Sequence, residues 1–174
     1  MKFLSAVVAS AVLAAAGLAG DVEMGGMKSK TPDTWKEEEP VGTMRLAQFK
    51  LPKAEGDAED AQVIIYTFPA GSSGKADDNL KRQLAKFAGK PEVKTDKIQV
   101  GKAEAPYQDI TGTYLQKKRP FDATEKAAER ENFRQLYVVV LVPDKGDFYP
   151  TLVGPAKTVE KHKKAFEEFL KNFK

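Results

Sequence analysis

The sequence predicts an α+β domain, built from a mostly antiparallel sheet of about six strands covered by two main helices. Several short runs of β-branched and aromatic residues are separated by polar turns, which is typical of hairpin-linked strands. One helical pattern interrupts these runs, and a long amphipathic segment closes the chain. Hairpins favour antiparallel pairing, and helices of this kind bury their apolar stripe against a sheet.

Two pairs of strands are predicted first. The segment Thr43–Leu51 ends at Pro52, and Ala61–Phe68 is the most strand-like run in the chain, so the two predict a hairpin. The segments Lys97–Lys102 and Tyr107–Leu115, joined by a short turn, predict a second hairpin.

The last two predicted strands differ in character. Gln135–Pro143 is the most apolar run, which predicts a central place in the sheet. Phe148–Val153 contains Pro150, which lacks a backbone donor and therefore predicts an edge strand or a bulge. Residues 117–132 fit either a short exposed helix, with capping-box spacing over Asp122–Glu125, or a mobile loop.

Each helix has recognisable end signals. Asp77 and Asp78 are expected to cap the first helix, and Gly89 is expected to stop it. Pro155 lies where the first turn of the last helix is expected. That helix carries an apolar stripe at spacings of three and four, composed of Val159, His162, Phe166, Phe169, Leu170 and Phe173.

The chain divides into three expected segments. Residues 1–20 have a basic start, an apolar run and a small-residue exit, which predict a secretory signal peptide; the alternative is an uncleaved membrane anchor. Residues 21–34 are polar and glycine-containing, which predicts a flexible tether. Residues 35–174 are expected to form a single α+β domain, with Trp35 laid on its core.

Composition excludes several function classes. The chain has no cysteine, which excludes disulfides, thiolate catalysis and cysteine-ligated metals. The formal net charge of +3 is small for 174 residues, so no nucleic-acid partner is expected. With one histidine, His162, multi-histidine zinc sites are excluded, and that residue is interpreted as part of the helix packing. We expect no metal, no cofactor and no catalytic residue set.

Two loops have some features of ligand sites. Gly71–Lys75 lies between a strand and a helix, where a phosphate loop would lie. The first glycine and the hydroxyl residue of the phosphate-loop motif are missing from this part of the chain. We therefore expect a plain loop that is able to donate amides to some anion. The acidic loop with Glu55, Asp57, Glu59 and Asp60 lacks the spacing of a calcium loop and is interpreted as a solvated hairpin tip.

Five polar residues near element ends are the candidate binding residues. They would form a site if a cleft exists beside the first helix; the alternative is local capping and surface ion pairs. They are Arg45, Asn79, Arg82, Asp109 and Tyr114.

Short motifs along the chain resemble a family of uncharacterised exported bacterial proteins. The motifs are Trp35, Pro40, Met44–Pro52, Asn79, Arg82, Phe87, Asp109–Tyr114, Leu152–Pro155, Thr158, Val159 and Phe166. Where the family has a tryptophan and a glutamine near the end of the first helix, this chain has Gln83 and Lys86. The element order resembles, more distantly, the α/β/α sandwich of the PsbP-like proteins, which implies a binding or accessory role by analogy.

The leading hypothesis is an exported, non-enzymatic domain, periplasmic or extracellular, that binds a protein or small ligand through the loops or an edge strand of its sheet. One alternative is a hydrolase or lyase that uses dispersed carboxylates with tyrosine or arginine. Another is a structural envelope component held at the membrane by an uncleaved signal segment.

Overall fold

The computed structural model describes residues 20–117 and 124–174. The strands are β1 (Asp21–Met24), β2 (Met27–Lys30), β3 (Lys36–Glu38), β4 (Arg45–Leu51), β5 (Ala61–Phe68), β6 (Phe87–Val100), β7 (Ala103–Gln116), β8 (Ala128–Val138), β9 (Val140–Val142) and β10 (Gly146–Pro155). The helices of the described segments are α1 (Ala76–Leu84) and α2 (Ala156–Lys171).

The main sheet is antiparallel throughout its described pairings, in the order β3-β4-β5-β10-β8-β7-β6, with β9 pairing beside β8 on β10. The predicted α+β class with two helices on a mostly antiparallel sheet is confirmed. The predicted number of strands was wrong, because the sheet has eight within the described residues. The two extra strands, β3 and β9, are three residues long and too short to show a period.

The core lies between one face of the sheet and α2. Val63 and Ile65 of β5 and Leu136 of β8 point to this face and are fully buried. Phe166 and Phe169 of α2 pack against them, as the three- and four-residue spacing predicted. The side chains between these strand positions point to the opposite face, which α1 covers in part.

The expected flexible tether at residues 21–34 is wrong for most of its length, because residues 21–30 form the β1–β2 hairpin. Met24 is fully buried in the core, and Ser29 Oγ donates to the Phe169 carbonyl at 2.7 Å. Lys28 and Lys174 exchange two backbone hydrogen bonds, of 2.8 and 3.1 Å. These contacts join residues 140 or more positions apart, so local polarity could not reveal them. Gly20 lies within the fold, and the rest of the predicted signal peptide lies outside the described residues.

Trp35 lies on the core as expected. Its indole is 4% exposed and contacts the rings of Phe49 and Phe169 at centroid distances of 5.6 and 5.2 Å. These three rings connect the residue just before β3 with β4 of the main sheet and with α2.

The expected boundaries of α1 were wrong. The helix begins at Ala76 and ends at Leu84, and Lys75 is its N-cap, so Asp77 and Asp78 lie in the first turn without capping it. Gly89 does not stop the helix, because it lies inside β6. Phe87 is already paired with Tyr114 of β7, and its burial against that ring favours the strand.

The two alternatives for residues 117–132 are also corrected. Residues 128–132 begin β8, so neither an exposed helix nor a mobile loop describes them. The expected capping motif at residues 122–125 lies partly outside the described residues.

Pro150 lies in β10, an interior strand of the sheet, so the edge alternative was wrong. The ladder on one side of β10 passes from the pair Phe148–Val140 to the pair Thr151–Tyr137, so it skips Pro150. The Val139 amide, which lies opposite this gap, donates instead to the Pro106 carbonyl at 3.0 Å. The missing donor of proline is therefore accommodated by a break between β8 and β9.

Candidate functional site

A cavity of about 410 Å³ lies on the face of the sheet that α2 does not cover, beside the C-terminal end of α1. We call it the α1 cavity. Its floor is formed by Gln62, Ile64 and Tyr66 of β5, which alternate with the core residues of that strand, together with Thr151 of β10 and Gln135 of β8. The strand period of two therefore separates the hydrophobic core from a second, more polar surface.

Arg45 lies at one side of the α1 cavity, at the start of β4. Its Nη1 donates to Gln48 Oε1 at 2.5 Å, and Gln48 Nε2 donates to Glu38 Oε2 at 2.9 Å. The guanidinium carbon lies 5.9 Å from the Tyr66 ring centroid. Because Arg45 is held by a neutral amide and an aromatic face, its charge is positioned but not neutralised.

Tyr66 and Tyr114 bring two phenol groups to the same region. Burial raises the pKa of both side chains, and that of Tyr114 reaches about 12. Each phenol is close enough to Arg45 to feel its charge, and the Tyr114 phenol also feels Tyr66. Both phenols therefore stay protonated at neutral pH, so they act as hydroxyl donors rather than as bases.

Lys86 lines the cavity from the short connection between α1 and β6. Its backbone is fixed, since its amide donates to the Gln83 carbonyl at 3.0 Å and its carbonyl accepts from the Leu115 amide at 2.7 Å. The side chain is half-buried, and this burial lowers its pKa to about 8. Within residues 20–117 and 124–174, no hydrogen bond or ion pair satisfies its amine.

Gln135 lines the cavity and is hydrogen-bonded to a second amide, that of Gln83. Gln135 Nε2 donates to Gln83 Oε1 at 2.9 Å, and the Gln83 amide also contacts the Tyr137 phenol. Gln135 Oε1 is buried and has no partner in the described part of the chain. Leaving a buried acceptor without a donor costs free energy.

The carboxylates at the rim of the cavity are already paired. Glu59 forms an ion pair with Arg130. Asp60 accepts from the Lys53 amide at 2.8 Å and lies 3.3 Å from Lys50 Nζ. The Lys53 amide is the main reason that the pKa of Asp60 lies below its ordinary value, with Lys50 adding to it. These groups therefore leave the cavity with unneutralised positive charge at Arg45 and Lys86.

Of the five candidate residues, Arg45 and Tyr114 meet in the α1 cavity. Asn79 and Arg82 lie on α1 and hold the loop before it: Asn79 Nδ2 and Arg82 Nη2 both donate to the Ser73 carbonyl, at 3.1 and 2.7 Å. Arg82 also donates to Asn79 Oδ1 at 2.6 Å. These are local contacts between α1 and the loop that precedes it.

Asp109 lies on the opposite face of the sheet, beside α2. Arg134 donates to both of its carboxylate oxygens at 2.7 Å and also contacts Glu160, while Lys163 Nζ lies 3.3 Å from Asp109 Oδ2. Burial alone would raise the pKa of Asp109, but Arg134 and Lys163 outweigh it and hold that pKa below its ordinary value. A small cleft of about 260 Å³ adjoins this group, and its charged side chains already satisfy one another.

The two loops weighed as ligand sites hold internal partners. The Gly71 and Ser73 amides and the Ser73 hydroxyl donate to the carboxylate of Asp147, so the anion they bind belongs to the chain itself. In the acidic loop, Asp57 accepts from the amide and hydroxyl of Thr158, at 2.8 and 2.6 Å. No group of side chains suited to a metal ion is present in the described residues.

His162 is buried in the packing of α2, as the sequence indicated. It is 5% exposed, and its Nε2 lies 2.9 Å from the Pro52 carbonyl. The imidazole thus fastens α2 to the loop after β4.

Sequence reasoning missed Tyr66, Lys86 and Gln135 as cavity residues. A signal existed for Tyr66, because it shares a strand face with Gln62 and not with the apolar Val63 and Ile65. Lys86 stands between the apolar Leu84 and Phe87, yet only the fold shows that it points into a cavity.

No family model matches this chain, and no curated protein matches it either. Solved structures do match. One is the solution structure of cyanobacterial PsbP (CyanoP) from Synechocystis sp. PCC 6803, at 13% identity and a TM-score of 0.48, covering 97% of this chain and 98% of that one.

Two further structures are similar at the same low level. A protein from Bacteroides thetaiotaomicron VPI-5482 gives a TM-score of 0.48 at 12% identity, covering 88% of this chain but only 46% of its own length. The protein of unknown function PA94 from Pseudomonas aeruginosa gives a TM-score of 0.39 at 15% identity, covering 87% and 93% of the two chains. We draw neither family nor function from likenesses this distant.

Proposed function

We propose that this chain is an exported binding or accessory domain without enzymatic activity, and that the α1 cavity is its site for a small anionic ligand. The observation that carries the proposal is the pair of unneutralised cations, Arg45 and Lys86, in one concave site beside two phenol donors. A half-buried charge without a partner is unfavourable, and an anion entering the cavity would relieve it.

The cavity suits a small molecule better than a protein surface. Its volume of about 410 Å³ lies in the range of small-ligand sites. The large hydrophobic side chains exposed in the described segments are Val41, Leu46, Val93 and Leu141, which come from four different parts of the fold. The long outer strand β6 presents lysines along its free edge, which opposes pairing with another strand.

The alternative of a hydrolase or lyase with dispersed carboxylates has less support. It requires a carboxyl group with a raised pKa or two carboxylates poised in a cleft. At the cavity rim, Glu59 is paired with Arg130, and the pKa of Asp60 is lowered rather than raised. The phenols stay protonated, so the remaining candidate for chemistry would be the amine of Lys86.

Calorimetric titration of the protein with benzoate and with inorganic phosphate tests the binding proposal. We expect at least one of these anions to bind and its affinity to fall with added salt. Arg45→Gln should weaken binding by about tenfold or more, because a charge-assisted contact is lost. Lys90→Gln is the matched control, since this exposed lysine of β6 lies outside the cavity. Equal affinities for wild type and Arg45→Gln would contradict the proposal.

Export is the other part of the proposal, and residues 1–20 motivate it. The Gly20 amide donates to Thr31 Oγ1 at 3.1 Å, and the Gly20 carbonyl accepts from the Thr31 amide at 3.0 Å. Cleavage before Gly20 would therefore leave the described fold intact. Intact-mass measurement of protein recovered from the cell envelope tests this point, and retention of residues 1–19 would favour the membrane-anchored alternative. In the described segments, no helix has the length and hydropathy to cross a membrane.

A further inference from the structure

We infer that the ligand of the α1 cavity is a planar aromatic ring that carries two separate anionic groups, one held at Arg45 and the other at Lys86. This inference rests on the proposed function and extends it to the class of ligand. Three features support it: the charge balance of the cavity, its donors and its aromatic walls.

The charge balance sets the number of negative charges. Glu59 and Asp60 are consumed by Arg130, Lys50 and the Lys53 amide. Arg45 is bonded to the neutral Gln48, and the amine of Lys86 has no partner in the described part of the chain. Lys117 also lines the cavity but has a partner of its own, so Arg45 and Lys86 are the two cations that a dianion would neutralise.

The donors indicate where the first anionic group lies. Arg45, Tyr66 and Tyr114 are mutually close; the guanidinium presents only donors, and each protonated phenol offers one O–H donor at neutral pH. The planar guanidinium matches the geometry of a carboxylate, and the phenols add further donors. Lys86 enters from a different element, the connection after α1, so its charge suits a second anionic group rather than the same one.

The walls indicate the body of the ligand. Tyr66, Tyr114 and Phe133 all line the cavity, and the rings of Tyr114 and Phe133 lie nearly parallel, with an interplanar angle of 9° and a centroid distance of 6.1 Å. Phe87 supports Tyr114 edge-on at 5.3 Å, which fixes that ring in place. Fixed aromatic faces favour a planar, conjugated ligand over a flexible aliphatic one.

Matched probes test the inference on the full chain. The probes are benzoate, the three benzenedicarboxylates, cyclohexane-1,4-dicarboxylate and phenyl phosphate. We expect the best benzenedicarboxylate to bind about tenfold tighter than benzoate, because it gains one charge-assisted contact. It should also bind more tightly than the non-planar dicarboxylate and than phenyl phosphate, in which both charges lie on one group.

Variants assign the two contacts. Lys86→Gln should bring the affinity of the dicarboxylate to within about twofold of that of benzoate while leaving the affinity for benzoate itself nearly unchanged. Arg45→Gln should weaken both probes, and Lys90→Gln neither. Thermal midpoints at or above that of the wild type exclude unfolding as the cause of a lost signal.

The outcomes separate the two proposals. If benzoate binds as tightly as every dicarboxylate, or if Lys86→Gln keeps the preference, the inference of a dianion is wrong and the anion site stands. If phenyl phosphate or the non-planar dicarboxylate binds best, the inferred ring with two separate groups is wrong. If none of the probes binds but inorganic phosphate does, the inference is wrong and the anion site stands; if inorganic phosphate does not bind either, both proposals fail.

Discussion

Lys86 sets the pH range in which the α1 cavity carries its full positive charge. Burial lowers its pKa from 10.5 to about 8, so the amine is charged at pH 7 and largely neutral at pH 9. The affinity for a dicarboxylate should therefore fall as the pH rises from 7 to 9, whereas in Lys86→Gln it should stay level over that range. Calorimetric titration at both pH values measures this, and a parallel fall in the variant would assign the effect to another group.

The same lysine should limit the stability of the protein without ligand. Because the pKa of Lys86 is lower in the folded protein than in the unfolded chain, its contribution to stability is fully present above the unfolded pKa, where the amine is neutral in both states. That contribution is lost as the pH falls through about 8. Lys86→Met should therefore raise the free energy of unfolding at pH 7 by about 1 to 2 kcal/mol, since partial hydration reduces the full cost of burial. Urea unfolding of this variant beside Lys90→Met tests it. A less stable Lys86→Met would mean that the ammonium makes a stabilising contact.

Asp147 is the residue on which the loop before α1 depends. Burial would raise its pKa, but the donors from Ser73 and Gly71 outweigh this and lower it. Its stabilising contribution is therefore present above pH 4 and is lost as the pH falls below that value. Asp147→Asn should cost about 2 kcal/mol at pH 7, measured by urea unfolding, because a charge-assisted acceptor is lost. Asp144→Asn, an exposed neighbour, serves as the control, and equal losses in the two variants would contradict this role.

At the scale of the element, α2 begins without a cap of its own. Its N-cap residue is Pro155, which offers no side-chain acceptor. Asp57, a hundred residues away along the chain, supplies the acceptor for the amide and the hydroxyl of Thr158 in the first turn. A carboxylate at this end of a helix also interacts favourably with the helix dipole.

Asp57→Ala should therefore destabilise the protein by about 1 kcal/mol or slightly more, which is the usual contribution of an N-terminal cap. Glu55→Gln is the control, since it is exposed in the same loop. Urea unfolding followed by circular dichroism gives the comparison. An unchanged midpoint in Asp57→Ala would show that water replaces the carboxylate without loss.

The bounds of the strands were predicted with different accuracy, for a physical reason. β5 matches its predicted bounds, because its sequence is rich in β-branched residues and all of its residues are at least partly buried. The start of β6 could not be predicted, because Phe87 and Ala88 follow a helical pattern and only the pairing with Tyr114 and Thr113 of β7 makes them a strand. Pairing with a distant strand, and the burial that comes with it, therefore outweighs the local helical propensity of these residues.

At the scale of the whole molecule, the two ends of the described fold stabilise each other. The β1–β2 hairpin buries Met24 and bonds to the C-terminal residue through Lys28 and Lys174. Deleting residues 1–19 should leave the free energy of unfolding unchanged. Deleting residues 1–31 should lower it by about 3 to 6 kcal/mol, from the lost burial of Met24, Val22 and their partners. Urea unfolding of the two truncated chains tests this, and equal midpoints would show that the hairpin is only loosely attached.

The candidate site shows the same division between local and distant information. Arg45 and Tyr114 could be selected from the sequence as polar residues near strand ends, and the fold places both in one cavity. Asp109 could be selected on the same grounds, yet it lies on the other face with Arg134 and Lys163. Which face a residue occupies depends on the register of strands that are far apart in the chain, and a shift of one residue reverses it.

The sequence by itself determined the α+β class, the two helices, the core stripe of α2 and the absence of any cysteine chemistry. These follow from composition and from periods of two and 3.6 residues, which are local properties. The tertiary structure alone decided that residues 21–30 form a hairpin, that Asp147 and Asp57 hold loop and helix ends, and that Lys86 and Arg45 line the same cavity. Each of these depends on contacts between distant residues, whose partners no local pattern specifies.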